Sequence, residues 1–134
     1  MSHPTRVLIV EENDFHRALM TDVVECNDMK AVALPNDNWI ERIEQLFEGG
    51  DSVCDIVVVD LDLPEDRGLK VAERLADLPD EVRPRIVGLQ NAAGVLPRRR
   101  DGRELDLEDL LCRPLDLGGF ARSVNKQALS IRLT

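Results

Sequence analysis

Short apolar runs along the chain alternate with longer segments in which apolar residues recur at helical spacing. The runs that predict strands are Arg6 to Val10, Lys30 to Leu34, Ile56 to Asp60, Arg85 to Leu89 and Asp109 to Cys112. The third run is β-branched without interruption from Ile56 to Val59, a pattern typical of a strand that is covered on both faces. We therefore expect the third strand at the centre of the core.

The segments between these runs have the spacing of helices with one apolar face. The predicted inward positions are Phe15, Ala18, Leu19, Val23 and Cys26; Trp39, Ile40, Ile43, Leu46 and Phe47; Leu69, Ala72, Leu75, Ala76 and Leu78; and Leu117, Phe120, Val124, Ala128 and Ile131. Asn13 or Asp14 is expected to cap the first helix, and Asp116 the last. The second helix is expected to end at Gly49 and Gly50, and the third before Pro79.

The segment from Asn91 to Gly102 breaks this pattern. It contains Gly94, Pro97 and Gly102 around the triplet Arg98 to Arg100, which makes a poor helix interior. The sequence therefore predicts a loop or a single turn where a fourth helix would come. The arginine triplet is interpreted as a solvated loop rather than a binding patch.

Strands that alternate with helices at this spacing predict right-handed βαβ units and an α/β fold. The simplest arrangement is one domain over residues 1–134, with a doubly wound five-stranded parallel sheet in the flavodoxin-like order 2-1-3-4-5 and a weak or missing fourth helix. The first and third strands are then neighbours at the topological switch point. Glu11, Glu12 and Asp60, which lie at the ends of those two strands, should converge on one pocket.

The composition fits a soluble globular protein, with 43% hydrophobic and 32% charged residues. The net charge of −9 opposes direct binding to nucleic acid or to an anionic membrane. A cytoplasmic location is expected, because no apolar run approaches the roughly 20 residues of a membrane span and the start lacks a signal-peptide pattern. Cys26, Cys54 and Cys112 are interpreted as buried small hydrophobes, since their odd number and wide spacing favour neither disulfides nor a zinc site.

The stretch from Asp55 to Gly68 reads DIVVVDLDLPEDRG. A strand of the form DxVxxD followed by LxLPxxxG resembles the phosphoacceptor region of two-component response-regulator receiver domains. The resemblance covers nearly the whole chain and implies that Asp60 is the phosphoacceptor. Receiver domains hold Mg²⁺ beside that residue, and the resemblance assigns the metal to Glu11, Glu12, Asp60 and the backbone carbonyl of Asp62.

The chain departs from the receiver pattern at several of these positions. Glu11 and Glu12 stand where an Asp-Asp or Glu-Asp pair is usual, Gln90 replaces the phosphoryl-contacting Ser or Thr, and Arg113 replaces Lys before Pro. Leu110 stands where receivers carry the aromatic residue of their conformational switch. Mg²⁺ binding should be weakened by the Glu11-Glu12 pair and by Arg113, whose planar fork is expected to lie across Asp60 and Glu12 in place of the metal.

Two functions remain open at this point. The first is a single-domain receiver of a phosphorelay, not an enzyme, that accepts a phosphoryl group on Asp60 from a histidine kinase or a histidine phosphotransferase. It would signal through a downstream protein bound by residues 91–102 and the last helix. The alternative is a phosphorylation-independent pseudo-receiver that acts as a scaffold or interaction module.

A flavodoxin-type cofactor binder is rejected, because the acidic run from Glu11 to Asp14 would repel a phosphate. The oligomeric state stays open.

Overall fold

The computed structural model describes residues 3–33, 41–43, 45, 54–91 and 94–133. Five parallel strands form one sheet in the order β2-β1-β3-β4-β5, which confirms the predicted topology. The strands are β1 Arg6–Val10, β2 Lys30–Ala33, β3 Ile56–Asp60, β4 Arg85–Gln90 and β5 Asp109–Cys112. The predicted end of β2 at Leu34 lies outside the described residues.

Strand β3 is the centre of the molecule, as its β-branched run predicts. All five of its residues are buried. Its side chains alternate between two core clusters, with Val57 and Val59 in one and Ile56 and Val58 in the other. Helices therefore cover both faces of the sheet, and the ends of the strands are left for polar side chains.

Helix α1 spans Asp14–Cys26 and begins at Asn13, whose side chain accepts a hydrogen bond from the amide of His16. Asn13, one of the two predicted caps, is thus confirmed, whereas the predicted inward face is confirmed only in part, since Val23 packs against the core. Met20 and Val24 are the buried residues of α1, whereas Phe15 is 68% exposed. Two apolar stripes lie side by side on this helix. The packing of α1 against β2 and against the last helix of the chain decides which stripe is more deeply buried. The spacing of apolar residues along α1 does not determine that packing.

A short 3₁₀ turn at Pro64–Asp66 leads into helix α2, Arg67–Ala76. Ala72 and Leu75 are buried on α2 as predicted, while Leu69, Ala76 and Leu78 are partly buried against the same cluster. Helix α3 spans Leu117–Arg132, is capped by the Asp116 side chain and buries Phe120, Val124 and Ala128, which confirms its predicted face. Of the helix predicted around Trp39, Ile43 is described, helical and buried, and the other predicted face positions lie outside the described residues.

The segment between β4 and β5 contains no helix over its described residues 94–108, as predicted from its composition. It folds back on itself through an antiparallel bridge between Arg98 and Glu104. Hydrogen bonds from the Arg99 amide to the Arg103 carbonyl and from the Gly102 amide to the Arg99 carbonyl, both 2.9 Å, close the turn. The loop is therefore a defined turn and carries its arginines in fixed places.

The three cysteines differ in their surroundings, so the interpretation of all three as buried is wrong. Cys26 is exposed, Cys112 is half-buried and Cys54 is buried. Burial, with a smaller effect from the neighbouring Asp55, raises the pKa of the Cys54 thiol to about 12. This thiol stays protonated at neutral pH, and only the thiolate is strongly nucleophilic.

We expect a thiol reagent added to the native protein at neutral pH to label Cys26 first and Cys54 last. Peptide mass analysis after timed quenching measures the order. All three cysteines should react at similar rates once the chain is unfolded in urea. Labelling of Cys54 in the native protein as fast as Cys26 would contradict its burial.

Candidate functional site

The carboxyl edge of the sheet gathers the polar residues that follow its strands. Glu11 comes directly after β1, Asp60 ends β3, Gln90 ends β4 and Arg113 comes directly after β5. Parallel pairing of Val10 with Val59 and of Gln90 with Cys112 brings these ends to one edge. A backbone hydrogen bond of 2.8 Å from the Arg113 amide to the Gln90 carbonyl continues the pairing beyond β5.

Asp60 lies at the floor of this edge and is 7% exposed. Its Oδ1 accepts hydrogen bonds from the Asp62 amide at 2.9 Å and from Arg113 Nη1 at 3.3 Å. Its Oδ2 accepts from Arg113 Nη2, also at 3.3 Å. The guanidinium therefore contacts both carboxylate oxygens in the fork geometry that suits this pair of groups.

Glu11 is 2% exposed and completes the pairing on the other side of Arg113. Its Oε2 accepts from Arg113 Nη2, and its Oε1 accepts from the Asn13 amide at 3.0 Å. Arg113 thus joins two buried carboxylates that belong to different strands and lie far apart in the chain. The site formed by Glu11, Asp60 and Arg113, called here the edge triad, keeps a net negative charge, because one guanidinium meets two carboxylates.

The expectation that Arg113 pairs with Glu12 is wrong. Glu12 is exposed, and its Oε2 accepts a hydrogen bond of 3.1 Å from Nη2 of Arg67, at the start of α2. Consecutive side chains of an extended chain point to opposite sides. Glu11 therefore faces the interior, and Glu12 faces the rim.

The remaining predicted site residues contact the loops around the triad. Asp62 is exposed, and its Oδ2 accepts from the Asn91 amide at 2.5 Å. Gln90 is 6% exposed, and its Nε2 donates to the Val95 carbonyl at 2.6 Å. Leu110 is half-buried in β5. Asp62 and Gln90 thus tie the loop after β4 to the edge of the sheet.

Two further arginines at this edge were missed from the sequence. Arg17 Nη1 donates to the Glu11 carbonyl at 2.9 Å, and Arg67 holds Glu12. Both lie in the first turn or two of helices that begin at the carboxyl edge of the sheet. Their place in the chain, close after β1 and β3, was the signal that could have identified them.

The carboxylates that the receiver resemblance assigns to Mg²⁺ are already paired with cations. Asp60 and Glu11 contact Arg113, and Glu12 contacts Arg67. Mg²⁺ takes oxygen ligands at about 2.0–2.1 Å with near-octahedral geometry, and a guanidinium on the same oxygens competes with it directly. Among the described residues, no group of three or more His, Cys, Asp or Glu is arranged to hold a metal ion. The edge triad in this form does not fit Mg²⁺.

Comparison with known proteins gives two kinds of match, although no family model matches the chain. The chain is 26% identical over 121 residues to the polar-differentiation response regulator DivK of Brucella anthropi, covering 90% of this chain and 94% of DivK. A CheY-like response-regulator receiver domain from Methylobacillus flagellatus superposes with a TM-score of 0.71 at 20% identity, covering 93% of this chain and 99% of that one. The N-terminal domain of the nisin resistance regulator NsrR superposes with a TM-score of 0.70 at 13% identity, over 94% and 99% of the two chains.

These structural likenesses show that the chain has the receiver fold. Together with the sequence likeness to DivK they support a response-regulator receiver domain of two-component systems. None of the helices in the described part of the chain has the length and apolar character of a membrane span.

Proposed function

We propose that this chain is a cytoplasmic receiver module of a two-component system that signals through protein–protein contacts, and that it does so without requiring phosphorylation of Asp60. The observation that carries the second part is the edge triad. Arg113 contacts both oxygens of Asp60 and also contacts Glu11, so the carboxylate that would attack a phosphoryl group is already paired. The proposed pseudo-receiver is an interaction module and not an enzyme.

Charge explains why this pairing opposes phosphoryl transfer. An incoming phosphoryl group brings negative charge toward Asp60 and Glu11, and a metal ion must offset that charge in the transition state. With Arg113 between the two carboxylates, the metal has no open oxygen pair. Arg113 itself has to leave Asp60 before attack, which separates a nearly buried ion pair.

The proposed contact surface for a downstream protein is the described part of the loop from Gly94 to Gly102 together with α3. Val95 and Leu96 on this loop are 59% and 78% exposed, and Leu129 on α3 is 56% exposed. Val95 and Leu96 are neighbours on the loop, and apolar side chains that are exposed next to each other favour contact with another protein. Histidine kinases or histidine phosphotransferases are the proposed upstream partners.

The second candidate function is phosphorylation of Asp60 by such a partner. It is favoured by the position of Asp60 at the end of the central strand, where its Oδ1 accepts a hydrogen bond from the Asp62 amide. Displacement of Arg113 by a docked kinase would free this carboxylate.

Intact-mass measurement after incubation with acetyl phosphate and Mg²⁺ separates the two functions. We expect no phosphate adduct on the wild-type protein, because Arg113 holds Asp60 and excludes the metal. The double variant Arg113→Lys/Glu12→Asp should gain an adduct. It replaces the planar guanidinium beside Asp60 by a compact ammonium and shortens the carboxylate side chain at position 12 by one methylene. Asp60→Asn introduced into that double variant is the matched control and should abolish the adduct. A wild-type adduct that is absent from Asp60→Asn would overturn the phosphorylation-independent proposal.

A further inference from the structure

A second polar site lies away from the edge triad, between α2 and the loop that replaces the fourth helix. It is a cleft of about 420 Å³, and every residue that lines it is charged. The basic residues of the lining are Lys70, Arg74, Arg99, Arg100 and Arg103. We call this site the arginine cleft.

Acidic residues of the lining pair with at least three of these arginines, including Arg103, whose Nε donates to Asp101 at 2.7 Å. The Glu73 carboxylate, which is largely buried, accepts from the Arg100 amide at 2.7 Å and from Arg100 Nε at 2.8 Å. Both terminal nitrogens of Arg99 donate to the Asp77 carboxylate, at 2.9 and 3.3 Å. A guanidinium has five N–H donors, so a paired arginine keeps donors for another acceptor. Pairing thus fixes the position of each fork before any ligand arrives.

The backbone of the loop adds to this order. The hydrogen bonds between Arg99, Gly102 and Arg103 close a tight turn, and the bridge between Arg98 and Glu104 closes its base. Gly102 has a φ of +90°, a backbone conformation that residues other than glycine rarely adopt. The loop therefore presents its arginines from a defined turn, which lowers the entropic cost of binding.

The charge of the arginine cleft is opposite to that of the protein. Its lining holds five basic and three acidic side chains, whereas the whole chain carries a net charge of −9. A concave site that concentrates one sign of charge raises the local concentration of oppositely charged ligands. An anion is therefore attracted to this cleft, although the chain as a whole is acidic.

We infer that the arginine cleft binds a small phosphorylated ligand that carries negative charge on two or more groups, of the diphosphate class. The volume lies in the range of small-ligand pockets, about 300–1,000 Å³. Its fully charged lining favours a highly charged ligand over an apolar one. Cations stand on both walls, with Lys70 and Arg74 on α2 and Arg100 and Arg103 on the loop, so charge on more than one group matches the site. Planar forks suit phosphate oxygens especially well. This inference does not depend on the function proposed for the edge triad.

Titration of the full chain with inorganic pyrophosphate, followed by amide chemical shifts, tests the inference. We expect saturable shifts at residues 70–77 and 99–103, and weaker binding at higher salt. The double variant Lys70→Gln/Arg74→Gln should weaken binding by at least about tenfold, since hydrogen bonds to charged groups contribute strongly. Glutamine keeps a good helix propensity, so α2 should remain folded in this variant. The double variant Lys126→Gln/Arg132→Gln, which removes two exposed positive charges from α3, is the charge-matched control and should bind like the wild type.

Parallel titrations with ADP and with an acidic glutamate-rich peptide identify the class of ligand. Binding of both pyrophosphate and ADP assigns the shared diphosphate as the recognised group, whereas binding of pyrophosphate alone assigns the free inorganic anion. Binding of the acidic peptide without pyrophosphate would overturn the small-ligand inference. So would an unsaturable response, an equal loss of binding in Lys126→Gln/Arg132→Gln, or shifts confined to residues 11, 60 and 113.

Discussion

Replacing Gly68 by Ala is expected to lower the free energy of unfolding by about 3 kcal/mol or more, in the upper range for an overpacked core. Gly68 is buried in the first turn of α2. A Cβ at this position would lie 1.7 Å from the carbonyl oxygen of Asp60 and 2.8 Å from its carbonyl carbon. Both atoms belong to the backbone of the central strand, so no side-chain rotation can relieve the clash. The added methyl group must therefore separate α2 from the end of β3.

Urea denaturation monitored by far-UV circular dichroism measures this loss, and Gly118→Ala is the matched control. Gly118 also lies in the first turn of a helix, but a Cβ added there would stand 3.4 Å from the flexible side chains of Arg122 and Asp116. Alanine there should stabilise α3 by up to about 1 kcal/mol through helix propensity. A change for Gly68→Ala within about 0.5 kcal/mol of zero, the usual range of surface substitutions, would contradict the close packing of α2 against Asp60.

Replacing Arg113 by Ala is expected to create a Mg²⁺ site that the wild-type protein lacks. The variant leaves Glu11 and Asp60, both largely buried, without their guanidinium partner. Removing one partner of a buried pair costs about 3–5 kcal/mol, and the 19% exposure of the Arg113 side chain places the expected loss near the lower end, about 3 kcal/mol. A divalent cation can then neutralise the two carboxylates and restore part of that stability.

Thermal unfolding with and without millimolar Mg²⁺ measures both effects in one experiment. Arg113→Ala should have a lower Tm than the wild type in EDTA and should regain part of the difference in Mg²⁺, while the wild-type Tm should not change. Arg67→Ala is the control that removes an arginine from the rim. Its partner Glu12 is half exposed, so the loss should stay under about 1 kcal/mol and should not respond to Mg²⁺. An equal rise in the wild-type Tm on adding Mg²⁺ would show that Arg113 does not exclude the metal.

These two variants test different parts of the same edge. Gly68→Ala tests whether α2 packs directly against the backbone of Asp60, and Arg113→Ala tests what neutralises the Asp60 side chain. If the first prediction holds and the wild-type Tm nevertheless rises in Mg²⁺, the packing of α2 stands and the edge triad is open to metal. The acetyl phosphate experiment then decides whether Asp60 reacts.

The sequence alone determined the order of the elements and the position of the candidate site. The uninterrupted β-branched run from Ile56 to Val59 identified the central strand, because such side chains suit a surface that is buried on both faces. The start of α1 was placed at Asn13 or Asp14 and the start of α3 at Asp116, because a capping side chain bonds to an amide within three residues. Topology then brought Glu11 and Asp60 to one edge. All of these signals depend on local spacing or on a general rule of parallel sheets.

The tertiary structure decided the contacts that give the site its character. It paired Arg113 with Glu11 and left Glu12 to Arg67, because the direction of each side chain depends on where the strand ends and the loop turns. It also brought the Arg99 to Arg103 turn against Glu73 and Asp77 of α2, and so converted a triplet interpreted as a solvated loop into the wall of a cleft. Contacts of this kind join residues 22 to 102 positions apart. An arginine has several carboxylates within reach, and only the tertiary packing decides which of them it pairs with. Hydrophobic periodicity in the sequence carries no information about these pairings.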